Sequence, residues 1–163
     1  MNRFKIGVLL LVLFSGALLF PQSAQWEREA LKLQNTIRTL GTLISVNPFP
    51  GEVPGLETAI TNKTGQMMGD MDALNDALEA EMPSLSADER QEALTTTATL
   101  MMQVADLGNQ LYIRGFSALT LELVDAYTIV RASYYSLAAQ YSLITKLLPI
   151  GTRLQDGGGW IPW

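Results

Sequence analysis

Four stretches of the chain repeat apolar residues at helical spacing, and none alternates them as a strand would. From Trp26 to Val46, Leu31, Leu33, Ile37, Leu40 and Ile44 recur mostly at three- and four-residue steps, which predicts a first helix. Asn47-Pro48-Phe49-Pro50-Gly51 ends it, because proline lacks the amide hydrogen a helix needs, and a loop follows to Pro54. A second helix is predicted over Gly55–Met82. Its stripe is Leu56, Ile60, Met67, Met71, Leu74 and Leu78. Gly65 and Gly69 weaken it by about 1 kcal/mol each relative to alanine. Pro83 closes it.

Ser86-Ala87-Asp88-Glu89 has the form of a capping box, a serine with an acid three residues on. It opens a third helix through Arg114 with the stripe Leu94, Ala98, Met101, Ala105, Gly108 and Leu111. Gly115-Phe116-Ser117 is read as a tight break. Gly115 can take the left-handed conformation that ends a helix, and Ser117 can cap the next one. The fourth helix has the clearest pattern. Leu119, Leu123, Ala126, Val130, Tyr134, Leu137, Tyr141, Ile144 and Leu148 step by three or four throughout, close to a coiled-coil heptad. Beside them Ala132, Ser136, Ala139 and Ser142 are small, so another helix could approach closely. Pro149 and Gly151 end the run. The expected fold class is all-α: two antiparallel helical hairpins, coiled-coil-like, forming a domain over residues 26–151.

The two ends differ from this body. Arg3 and Lys5 precede an apolar run from Ile6 to Phe20, and Pro21-Gln22-Ser23-Ala24 then offers small residues. That is the layout of a secretory signal segment over residues 1–25, with cleavage expected near Ala24. The run is shorter than the roughly 20 residues of a bilayer span, although an uncleaved anchor has the same layout. Residues 152–163 form an irregular tail rich in glycine and tryptophan. The protein is therefore expected in the periplasm or cell envelope.

Composition narrows the chemistry. The 163-residue chain has no cysteine and no histidine. Disulfides, thiol nucleophiles, cysteine-based metal sites and histidine-dependent triads are excluded. No phosphate loop, activated serine or paired catalytic carboxylates stand out, so no catalytic residue, cofactor or metal ligand is assigned and the protein is read as non-enzymatic. The net charge is −5. Without Arg3 and Lys5 the remainder has 9 bases against 16 acids, net −7, which argues against binding nucleic acid.

Two weaker patterns have bland explanations. The methionines, Met67 and Met71 among them, could bind a soft metal ion through thioethers, but they fall on apolar stripes as core residues do. Asp70, Asp72, Asp76, Glu79 and Glu81 form an acidic patch. Leu74 and Asn75 stand where a calcium loop needs an oxygen ligand and a glycine, so the patch reads as a solvated face. Trp160 and Trp163 could anchor at a membrane interface or in a partner groove, as residues 1–25 could at a membrane.

The segment Tyr112-Ile-Arg-Gly115-Phe-Ser-Ala-Leu-Thr-Leu-Glu122-Leu-Val-Asp125-Ala126 resembles the TolC/OprM-type outer-membrane efflux factors. In that pattern a Tyr and a Gly precede a short turn, and an acid pair then enters a long helix. Tyr134 and Tyr141 with intervening alanines match the texture of that helix, and Gly157-Gly158-Gly159-Trp160 resembles the glycine-tryptophan sequence after it. The resemblance covers roughly residues 86–160, with one extra residue between Gly115 and the acids. It implies a periplasmic hairpin tip at Gly115 and Ser117. Glu122 and Asp125 would lie just above that tip, and Trp160 would follow the helix, as contacts for a pump or adaptor or for self-association. The family's tunnel is built from a longer chain with barrel strands. This chain shows no alternating strands, so the resemblance implies a truncated relative or a domain reused alone. The leading expectation is an exported helical protein acting through helix–helix association. The alternatives are a Met- or acid-based ligand-binding bundle and a stand-alone structural protein.

Overall fold

A computed structural model describes residues 24–45, 53–118 and 120–148, with the side chains of 114–118 outside that description. The described residues form four helices: α1 (Gln25–Ser45), α2 (Leu56–Glu81), α3 (Ala87–Ala118) and α4 (Leu121–Leu147). No strand occurs among them. The expected all-α fold is present, and α1, α2 and the end of α4 lie within a residue of their predicted bounds.

Each helix buries one seam with steps of three and four. In α1 the seam is Trp26, Ala30, Leu33, Ile37, Leu40 and Ile44, and in α2 it is Ile60, Thr64, Met67, Met71, Leu74 and Leu78. In α4 it is Leu123, Ala126, Val130, Ser133, Leu137, Gln140 and Ile144. This 3.5-residue period is that of coiled-coil packing. Each fully buried leucine, isoleucine or methionine contributes about 1.5–3 kcal/mol of transfer free energy.

Three predicted seams are corrected. Leu31 is 58% exposed, because Ala30 and Leu33 occupy the α1 seam on either side of it. In α3 the buried residues are Ala93, Leu94, Thr97, Leu100, Val104, Leu107, Gly108 and Leu111. Leu94, Gly108 and Leu111 of the predicted line are among them, but between its ends the seam is rotated by about one residue, leaving Ala98, Met101 and Ala105 half-buried. Tyr134 and Tyr141 likewise flank the α4 seam, with Ser133 and Gln140 at its centre.

The two hairpins pack with α1 against α3 and α2 against α4. The start of α1 meets the end of α2, where the Glu81 carboxylate accepts the Gln25 and Trp26 amide hydrogens at 3.0 and 3.2 Å. The start of α3 meets the end of α4, where Arg90 approaches the Leu147 carbonyl at 3.5 Å. Each hairpin is therefore antiparallel. Trp26 lines a groove with Leu100, and Gly41 lines a second with Leu107, so α1 and α3 run in the same direction. It follows that α2 and α4 are also parallel, and the short link from Met82 to Ser86 crosses the diagonal of the bundle. Thr36 donates to Asp70 at 2.6 Å between α1 and α2, and Asn75 donates to Ser136 at 2.9 Å between α2 and α4.

Local sequence explains the starts of α2 and α3. Gly55 precedes α2 with φ +81°, a left-handed conformation that glycine adopts without steric cost. Ser86 and Glu89 form the predicted capping box. The Glu89 carboxylate accepts from the Ser86 amide at 2.7 Å and from its hydroxyl at 2.6 Å, and the Glu89 amide donates back at 3.3 Å. The hydroxyl and amide of Ser86 hold the Glu89 carboxyl below the usual glutamate range. A lowered carboxylate pKa stabilises the fold above the unfolded-state value and is lost as pH falls through the folded value. Ser86→Ala should therefore flatten the acid limb of the stability–pH profile below the ordinary glutamate pKa, as read by thermal melts across that range.

The α2 glycines make a paired prediction. A Cβ at Gly65 or Gly69 would meet nothing within 4 Å, and neither residue has a positive φ. Gly65→Ala and Gly69→Ala should each stabilise by about 0.5–1 kcal/mol. Gly55→Ala should destabilise by about 1–2 kcal/mol, because its φ disfavours a Cβ. Urea unfolding of the three variants checks both signs.

Candidate contact surface of the second hairpin

The reversal between α3 and α4 lies later than predicted. α3 continues through Gly115 and Ser117 to Ala118, and the chain turns before Leu121. Glycine permits a stop without forcing one, and no proline follows, so the helix runs on at a cost of about 1 kcal/mol. Thr120, rather than Ser117, takes the N-cap position of α4, with extended φ −89° and ψ 143° and no side-chain capping bond. Its carbonyl accepts from Val124 at 3.2 Å, starting the helical ladder.

Glu122 and Asp125 both lie exposed in the first turns of α4, where the positive end of the helix dipole favours acids. Three apolar side chains toward the same end of the hairpin are exposed: Tyr112 at 52%, Ile113 at 71% and Leu121 at 78%. Tyr112 on α3 and Tyr127 on α4 tie the two arms together, with ring centroids 6.0 Å apart. This end of the hairpin thus exposes apolar side chains on both arms and two acids on α4. Tyr112, Ile113 and Leu121 were not candidates from sequence. For Leu121 the signal, an apolar residue off the seam beside a turn, becomes visible only once the turn is placed. Gly115 and Ser117 belong to the last turns of α3. Trp160 and Trp163 lie outside the described residues.

The other candidate residues are placed differently. Met67 and Met71 are buried in the core, which favours packing over soft-metal binding. No group of three or more metal-binding acids occurs among the described residues. The acidic patch divides. Asp72, Asp76 and Glu79 are exposed, whereas Asp70 accepts from Thr36 and Glu81 holds the start of α1. Two open grooves, of 350 and 220 Å³, run between α1 and α3. The larger is lined by Trp26, Ala30, Thr95, Thr99 and Leu100 with Glu27 and Glu92, and the smaller holds Arg38 and Asp106. No helix among the described residues is long and apolar enough to cross a membrane. No protein-family model, curated protein or solved structure matches the chain.

Proposed function

We propose that this is an exported, non-enzymatic helical protein of the cell envelope that works by helix–helix contact, its α3–α4 tip docking on a pump or adaptor of an efflux or secretion system. One observation carries the reading: large apolar side chains, Ile113 on α3 and Leu121 on α4, are exposed at the same end of the hairpin as the acids Glu122 and Asp125. Large apolar side chains grouped at one end of a bundle mark contact sites more often than scattered ones do. The bordering acids would select a basic rim on the partner and suppress acidic competitors. The basic-then-apolar start of the chain supports export, and the resemblance of residues 112–126 to efflux factors supports the class of partner.

The test is a binding measurement on purified proteins. The chain should be retained by an efflux adaptor or pump from the same envelope, and an Ile113→Asp/Leu121→Asp variant should lose retention while keeping its helical circular dichroism. Equal retention of both proteins, or of neither, would refute the proposed surface. N-terminal sequencing of the exported chain separately tests export, with a start near Gln25 expected.

A further inference from the structure

The outer face of α4 differs in charge from the rest of the bundle. From Asp125 to Lys146, one strip turned away from the core carries Thr128, Ala132, Tyr135, Ala139 and Ser142, all exposed, at steps of three and four. Its charges are the acid at one end, the base at the other and, at its edge, Arg131, whose guanidinium lies over the Tyr135 ring. α4 as a whole has two acids and two bases, whereas α2 has six acids and one base. A second copy approaching α2 would meet like charge. Approaching α4 it would meet a surface of balanced charge with opposite ends.

We infer that α4 pairs with α4 of a second copy of this chain, antiparallel, about a two-fold axis beside Tyr135 and Ser136. Such an axis places each residue opposite the one equally far beyond the axis. Asp125 then faces Lys146 of the second copy, and Ala132 faces its Ala139. Both pairs occur twice, and the charges match only in the antiparallel sense. The alanines let the two helix backbones approach closely, as small residues do at helix crossings. Val124, Leu143 and Leu147, each about half exposed, border the strip and would be covered from both sides. Tyr135 is held for its place on the axis. The Arg131 guanidinium lies 5.8 Å from its ring centroid, and the Tyr134 ring packs edge-on at 5.7 Å. The pairing uses neither the export reading nor the tip residues Ile113 and Leu121.

The absence of cysteine makes the test clean, since every introduced thiol reports alone. Ala132→Cys and Ala139→Cys are exposed and should leave the fold intact. Under oxidation an equimolar mixture should give a covalent heterodimer as the main product, with neither variant linking efficiently to itself. In the antiparallel register two copies of residue 132 lie about ten ångströms apart along the axis, beyond disulfide reach. Parallel pairing would link each variant to itself and overturn the register. Sedimentation of the unmodified chain as a monomer at all concentrations would overturn the pairing. Ala132→Glu/Ala139→Glu, which sets like charges face to face, should abolish the dimer with helical content unchanged. A dimer that persists in it would overturn α4 as the interface.

Discussion

Replacing Trp26 by alanine is expected to lower the unfolding free energy by about 3–5 kcal/mol, the range for removing a large aromatic side chain from a core. Trp26 is only 2% exposed and fills the end of the bundle where α1, α2 and α3 meet. Truncation would join its volume to the open groove beside it, so water would enter and little collapse could follow. Trp26→Phe should cost much less. The buried indole nitrogen has no hydrogen-bond partner in the protein, so removing it discards a group that gains nothing from burial. Urea unfolding of the two variants separates the contributions. A Phe variant as damaged as the Ala variant would show that the indole N–H matters more than the ring volume.

Leu100→Ala should be the second severe change, at about 2–5 kcal/mol, while Met101→Ala beside it should cost less than about 1.5 kcal/mol. Leu100 is 1% exposed on the central seam of α3, and Met101 is only half-buried on its flank. The predicted α3 stripe implies the opposite order, since it contains Met101 and omits Leu100. The pair of unfolding curves therefore also tests the rotation of α3.

That rotation shows how far the sequence could be read. The existence of four helices, their pairing into hairpins and the capping box were all legible, because apolar period, proline and Ser-x-x-Glu act locally. The α3 seam was not. Thr97 interrupts its apolar line, and a threonine looks polar from sequence. In the bundle its hydroxyl donates to the Ala93 carbonyl at 2.8 Å, which lets it be buried at no unmet polar cost. Thr64 and Ser133 do the same toward Ile60 and Ile129. Small hydroxyl residues thus stand in for apolar ones on three seams, and a hydrophobicity pattern skips them.

The candidate site was legible in part for a related reason. Glu122 and Asp125 stand at the start of the fourth helix as expected. The turn itself was misplaced by about one helical turn, because glycine was given the force of a stop. Moving the turn to just before Leu121 is what brings Leu121 to the tip. The roles of Asp70 and Glu81 depend on contacts 34 and 56 residues away in sequence, which no local pattern contains.

The Glu81 contact has a chemical consequence for maturation. While residues precede Gln25, its nitrogen is a neutral amide held 3.0 Å from the carboxylate. Hydrolysis after Ala24 would turn that nitrogen into an ammonium at the same place, and a hydrogen bond with one charged partner would become an ion pair with two. Acetylating the new amine should lower the melting temperature of the wild-type chain more than that of a Glu81→Gln variant. Equal shifts would show that the carboxylate does not sense the new terminus. On this geometry a cut after Ala24 would also tighten the first helix onto the second, whereas a cut made one or two residues away would leave a looser molecule.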